Sequence, residues 1–402
     1  MPNFSCHRRT VLGISVMLAA GAGCVDLSDE TDDETPQDDP PPADDGVAVE
    51  TVVEGLSHPW GLEPLPDDTV LVTERDTGDL LVVDPTEETA ETIEGTPPVS
   101  TAGQGGLLDV ATHPDFPSEA WVYLTYAATD DSGQSSTHLG RGLLDTDAGR
   151  FDSFETLFVA EPFLDATQHY GSRVVFDDAG YLYMTTGDRG DKTFDDPDDH
   201  VSQDTTNTLG ATLRLEPDGS IPADNPFRSD PDVADAIYSY GHRNSQGMTV
   251  HPETGDIWQS EHGEQDGDEL NVVEAGGNYG WPATHTGCEY GSDDPVGDHP
   301  ETRDDIVDPV FYWECNTGGF PPAGMTFYDG EAFPEWQGDL FLGGLASQYL
   351  ARFSVDGRDV ELVGSLLSEE GWRIRDVAVG GAGELYVAID ADDVPLVRLV
   401  PE

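Results

Sequence analysis

The sequence predicts an all-β protein built as a six-bladed β-propeller, and three observations carry that reading. One hairpin pattern recurs six times between residues 61 and 390. The copies stand about 50 to 75 residues apart, which leaves room for two further strands in each unit, the size of a propeller blade. No helical period of useful length lies between them, which argues against alternating strands and helices.

Each copy joins an apolar pair, a turn rich in Pro, Asp and Gly, and an alternating strand. In chain order they read GLEPLPDDTVLVTE, DVATHPDFPSEAWVYLTY, RVVFDDAGYLYMTTG, GMTVHPETGDIWQSE, GMTFYDGEAFPEWQGDLFLGG and DVAVGGAGELYVAID. Alternation broken by such turns is the signature of a hairpin. A pair of β-sandwiches is the competing architecture.

Ahead of the repeats, HRRTVLGISVMLAAGAGC carries paired arginines (Arg8, Arg9), a short apolar run and small residues before Cys24. Residues 1–23 therefore read as a twin-arginine signal with a lipoprotein-type cleavage site, too short to span a bilayer comfortably. An uncleaved anchor helix is the alternative. Residues 24–46 are acidic and proline-rich with little to bury, hence a solvated linker. The expected propeller domain is 47–402, exported to the outer face of the membrane and held there only by a lipid on Cys24.

The chain has 81 acidic residues against 17 Lys and Arg, a formal net charge of −64. Such a charge excludes nucleic acid as a partner. The acid is spread along the chain, which suits a salt-saturated compartment, since the Debye length falls to about 3 Å near 1 M salt. Of the four cysteines, Cys6 leaves with the signal and Cys24 takes the lipid; Cys288 and Cys315 either pair or remain buried thiols.

Several chemistries are disfavoured. The one lysine, Lys192, sits in GDKTF, so there is no phosphate-cradling Gly-Lys-Ser/Thr and little prospect of Schiff-base chemistry. The glycine-rich pieces GQGGLL and VGGAGELY do not open a helix in a βαβ unit, and neither G-x-S-x-G nor H-E-x-x-H occurs.

What remains is a set of loops leading into the hairpins: GQGGLL with Gln104, QHYGSR with His169, YGHRNSQG with Arg243 and Asn244, and EEGWRIRDV with Arg373 and Arg375. Equivalent loops of a propeller meet at one mouth of its channel. His113 and His251 fill matching turn positions and read as structural, whereas His169 lies four residues ahead of its hairpin on a loop without counterpart. Arg173, which begins the strand below, is expected to tie that loop down. Arginines kept in so acidic a chain point to an anion; the alternative is pairing with carboxylates such as Asp376. A fifth segment, SEHGEQDGDELNVVEAGGNYGWP, gathers Glu261, Glu264, Asp266, Asp268 and Glu269 around glycines, with Tyr279 beyond. Hard oxygen ligands on a turning backbone suit calcium, although the order is not that of an EF-hand; an ordinary solvated acidic cluster is the other reading.

These segments, in order from roughly residue 50 to 395, resemble the soluble quinoprotein glucose/aldose sugar dehydrogenases. The resemblance implies pyrroloquinoline quinone (PQQ) and calcium at the channel mouth, with His169 as the base that takes the proton of an aldose's anomeric hydroxyl while hydride passes to the quinone. It further implies that Arg243 and Asn244 contact the quinone, Gln104 holds cofactor or sugar, and Arg373 with Arg375 neutralise the cofactor's carboxylates. The carbonyls of Gly263 and Glu264 would face the calcium, with Glu269 and Tyr279 at a further calcium site. An aldose, a membrane or soluble electron acceptor and a monomeric or homodimeric state complete the expectation. Two positions depart from the glucose branch: Gln168 stands where it has Asp, and Ala346 or Ser347 where it has lysine. A calcium-dependent lactone hydrolase and a non-catalytic binding propeller are the competing functions.

Overall fold

The computed structural model describes residues 46–402 apart from 147, 195, 196 and 293; the expected signal, Cys24 and the linker up to residue 45 lie outside the described residues. Six four-stranded antiparallel sheets are arranged as the blades of a propeller. The six repeated hairpins are the first two strands of the six blades. Their inner strands are Pro59–Pro64, Leu107–Thr112, Val174–Phe176, Ser245–Val250, Pro322–Phe327 and Ile374–Val379.

In most blades the second strand, such as Val70–Glu74, Leu182–Thr186 or Leu385–Ile389, is buried at every position. Its two faces pack on the two neighbouring blades, so no face is left for water. Apolar clusters span neighbouring blades, as where Leu71 and Leu80 meet Leu107 and Val122, or Tyr183 meets Met248 and Ile257. Each such side chain contributes about 1.5–3 kcal/mol on burial. Outer strands face solvent: in Thr89–Ile93 only Ile93 is buried.

A hydroxyl recurs within the second strands and stitches one blade to the next. Thr73 donates to the Leu108 carbonyl, Thr125 to Ser172 (2.6 Å), Thr185 to Ser245 (2.9 Å) and Ser260 to Ala323 (3.0 Å). The ring is closed by the first strand of the domain, Val47–Leu56, which pairs antiparallel with Val394–Pro401 as the outer strand of the last blade. This joins the two ends of the domain in one sheet and removes the free edge that strand would otherwise leave.

At the centre of the channel lies Arg173, only 4% exposed. Its guanidinium donates to Asp109 (2.8 Å), Asp376 (3.0 Å), the Gln246 carbonyl (2.6 Å) and the Arg375 carbonyl (3.2 Å), and stands 4.3 Å from the Trp60 ring centre. Asp109 also accepts from Val174 N, and Asp376 from Leu62 N, each at 2.8 Å. Arg173 therefore does more than hold its own loop: it links five blades. A Cβ on Gly324 of the fifth blade would run into the Asp376 carboxylate, so only glycine fits there. Burial pushes the Asp109 and Asp376 carboxyls upward against the pull of Arg173.

A cavity of about 1330 Å³ opens at the hairpin-turn end of the channel and is lined by none of the expected site residues. Arg173→Met would leave two buried carboxylates without their shared cation. It should lower unfolding free energy by roughly 3–5 kcal/mol, read from urea denaturation midpoints; a loss under 1 kcal/mol would show that the hub contributes little to stability.

Candidate active site

His169 stands where four inner-strand loops meet, in the left-handed backbone region at φ 51° and 7% exposed. That conformation costs a non-glycine residue of order 1 kcal/mol and needs support. Gln104 supplies it by accepting the His169 N–H (2.8 Å), and Asn244 by accepting the Gly171 N–H (3.1 Å). Gly187 lies directly beneath, where a Cβ would collide with the His169 carbonyl.

The imidazole Nδ1 is 2.7 Å from Asp188 Oδ1, and the other Asp188 oxygen accepts from Trp281 Nε1 at 2.8 Å. An ionised carboxylate only accepts, so Nδ1 carries the proton and Nε2 presents a lone pair. Nε2 makes no hydrogen bond with any described residue. Burial pushes the imidazole below its ordinary value and Arg243 adds to that, outweighing Asp188. Burial pushes the Asp188 carboxyl upward, but His169 and Arg243 outweigh it and hold the group below the usual carboxylate range. The pair is thus a neutral base oriented by an ionised acid.

Arg243 reaches Glu264 Oε2 at 2.7 Å and the His262 carbonyl at 3.4 Å, with its guanidinium 5.3 Å from the Trp281 ring centre. The other Glu264 oxygen meets Lys192 Nζ. Arg375 binds Asp390 (2.6 Å) and Gln246 Oε1 (2.8 Å); Arg373, more exposed, lies 3.6 Å from the same Asp390. The carboxylate partner of these two side chains is therefore Asp390 and not Asp376. Burial raises the Asp390 carboxyl, yet Arg375, His58, Arg75 and Arg373 together hold it far below the usual range. The Nε atoms of Arg243 and Arg375 remain buried without a partner among the described residues. His262 is pushed down to about 3 by burial, with Arg243 and Arg375 adding to the effect, so it stays uncharged between the two arginines.

The 260–282 segment begins in the last two residues of the fourth blade's second strand, Ile257–Glu261. Gly263 N donates to Asp268 (3.0 Å) and Glu264 N to His285 Nε2 (3.2 Å), while the carbonyl oxygens of Gly263 and Glu264 accept from no described residue. Glu269 sits beside Asn271 (3.3 Å) and His285 (3.7 Å). The Tyr279 hydroxyl donates to Val272 O (2.6 Å) and accepts from Glu274 N (2.8 Å). Among the described residues no three His, Cys, Asp or Glu side chains cluster with metal-binding geometry. Cys288 and Cys315 form a disulfide, and Cys288 exchanges two backbone hydrogen bonds with Gln265, so the bridge anchors this segment.

The structure thus brings together His169, Gln104, Asn244, Arg243 and Glu264, with Arg375 joined to the group through Gln246 and the central Arg173. The site residues that sequence reasoning left out are Asp188, Trp281, Lys192, His262 and Asp390. Asp188 had a local signal, the glycines on either side in GDRG; the others are recognisable only once the loops converge.

Set beside the chain's relatives, the propeller and its arginine-lined mouth are those of a sugar dehydrogenase. The chain belongs to the glucose/sorbosone dehydrogenase family, which it matches over residues 56–398. It is 36% identical over 359 residues to an aldose sugar dehydrogenase of Escherichia coli strain K12, covering 88% of this chain and 93% of that one. The apo-form crystal structure of a soluble aldose sugar dehydrogenase from Escherichia coli superposes with a TM-score of 0.82 at 37% identity, over 89% of this chain and 100% of that one. A PQQ-bound aldose sugar dehydrogenase from Streptomyces coelicolor gives 0.70 at 29% identity, over 90% and 100%.

His169 should titrate below the ordinary histidine value of about 6.5, followed by NMR of the imidazole protons. In Asp188→Ala the midpoint should fall further, because Asp188 is what favours the charged ring; a rise would contradict the assigned pairing.

Proposed function

We propose that the chain is a PQQ- and calcium-dependent aldose dehydrogenase in which His169 is the general base. The observation that carries this is the His169–Asp188 pair, which fixes the tautomer and leaves Nε2 free. The donor set fits the cofactor: among the described residues the Nε–H groups of Arg243 and Arg375 are buried without a partner and can meet an anion, and the Gly263 and Glu264 carbonyls accept from none and can meet a hard cation. Asn244 and Arg373 stand beside these groups to complete the binding, while Gln104 acts on the base's backbone. Glu269 with the Tyr279 segment is the further calcium position that the resemblance implies.

When bound, the quinone supplies the hydride acceptor and the calcium a positive charge that polarises it. The rest falls to the chain. Nε2 takes the proton from the sugar's C1 hydroxyl, so that oxidation yields the lactone. Asp188 then balances the imidazolium at 2.7 Å, and Trp281 keeps that carboxylate turned towards the ring. Burial of the base keeps it neutral and ready to accept. A lactone hydrolase reading is weakened by Arg173, which fills the channel centre with a cation.

With Cys24 lipidated, the enzyme would work outside the membrane and pass electrons to a membrane or soluble acceptor; its acidity suits molar salt. Dye reduction by the apoprotein in molar salt with calcium and aldoses should require added PQQ. His169→Ala should lower kcat by about 10²–10⁴-fold with the fold intact by circular dichroism. Activity without PQQ, or an unimpaired mutant, would sink the reading. The acid limb of kcat/KM should have its midpoint below about 6.5, since activity is lost only as pH falls through the depressed value of His169 and protonation puts a cation beside Arg243 and Lys192.

A further inference from the structure

The chain has one lysine in 402 residues, and it stands at this mouth. Lys192 Nζ meets one oxygen of Glu264 while Arg243 takes the other at 2.7 Å, so a single carboxylate is shared by two cations. The Glu264 side chain is 4% exposed and its main chain is held by the His285 contact, by the Gln265–Cys288 ladder next to it and by the disulfide. The carboxylate can change place only by rotating its side chain. The lysine is different: it is half exposed, on a flexible four-carbon stem, with its ammonium 5.3 Å from the Phe194 ring centre and 5.7 Å from that of Tyr290.

We propose that Glu264 is a resident anion that competes with the anionic cofactor for Arg243 and Lys192, and that Lys192 is the ammonium this chain supplies to the cofactor. The inference rests on the proposed cofactor. A carboxylate this buried is screened little even at high salt, so its charge acts on a second anion at close range with most of its strength. Removing that charge while keeping the side chain's shape frees both cations for the ligand. Removing the lysine takes away one of them and leaves Glu264 to occupy the other.

The test is equilibrium binding of PQQ to the apoprotein, read by quenching of tryptophan fluorescence and by dialysis, in molar salt with and without calcium. Glu264→Gln should bind at least tenfold more tightly than the unsubstituted protein, and Lys192→Gln, a half-exposed position that leaves the fold alone, several-fold more weakly. Equal or weaker binding by Glu264→Gln overturns the proposal; weakening seen only with calcium would make Glu264 a calcium ligand instead. An unchanged constant in Lys192→Gln removes the lysine from the site and overturns that half. If neither the unsubstituted protein nor any variant binds PQQ, the cofactor reading fails and takes the proposal with it, whereas equal binding by all of them sinks the proposal alone.

Discussion

The architecture depends on the buried guanidinium of Arg173. A charge so far from water must be matched by partners, and here two carboxylates and two carbonyls from other blades do it. The partners are also markers of register. Asp109 follows Gln104 in the second blade, Arg173 follows His169 in the third, Gln246 follows Asn244 in the fourth, and Asp376 adjoins Arg375 in the sixth. Each residue of the hub therefore fixes, within a few residues, a loop of the mouth. A single polar cluster aligns four blades and the groups they carry, which is how loops far apart in sequence are held to hydrogen-bond distances of one another.

The second constraint is electrostatic. Four cations at the mouth have carboxylates within reach: Arg243 and Lys192 share Glu264, while Arg373 and Arg375 share Asp390. These pairings leave the Nε of Arg243 and of Arg375 without a partner among the described residues, so the lining is neutralised without being saturated. His169 is treated differently. Asp188 is itself held by Trp281 and by the Gly190 N–H, so it orients His169 while burial and Arg243 keep the ring uncharged. Acid and base states at the mouth are set by the same low-dielectric surroundings that make the pairing obligatory.

Much of the fold was legible because a blade is a local object. Hairpin turns and the short strands they join lie within some twenty residues of sequence, and the six hairpins occur where the repeat placed them. The site was legible through its polar residues on loops without a structural duty in the repeat: His169, Gln104, Asn244 and the arginines. Their partners were not. Gln104 accepts the backbone N–H of His169; Asp390 rather than Asp376 takes Arg373 and Arg375; Arg173 looked local and is central.

By itself the sequence determined what depends on neighbours along the chain: the strand pattern, the six-fold repeat, the great excess of acid, and the residue types available for catalysis. Tertiary structure decided what depends on which loops face one another: closure by the first strand against the last, the Cys288–Cys315 pairing, the Asp188 carboxylate behind the base, and the Glu264 bridge between Arg243 and Lys192. The physical reason is that charge pairing and burial act through space over a few ångströms. The partners in these contacts lie from about twenty to several hundred residues apart, and only the completed ring brings them together.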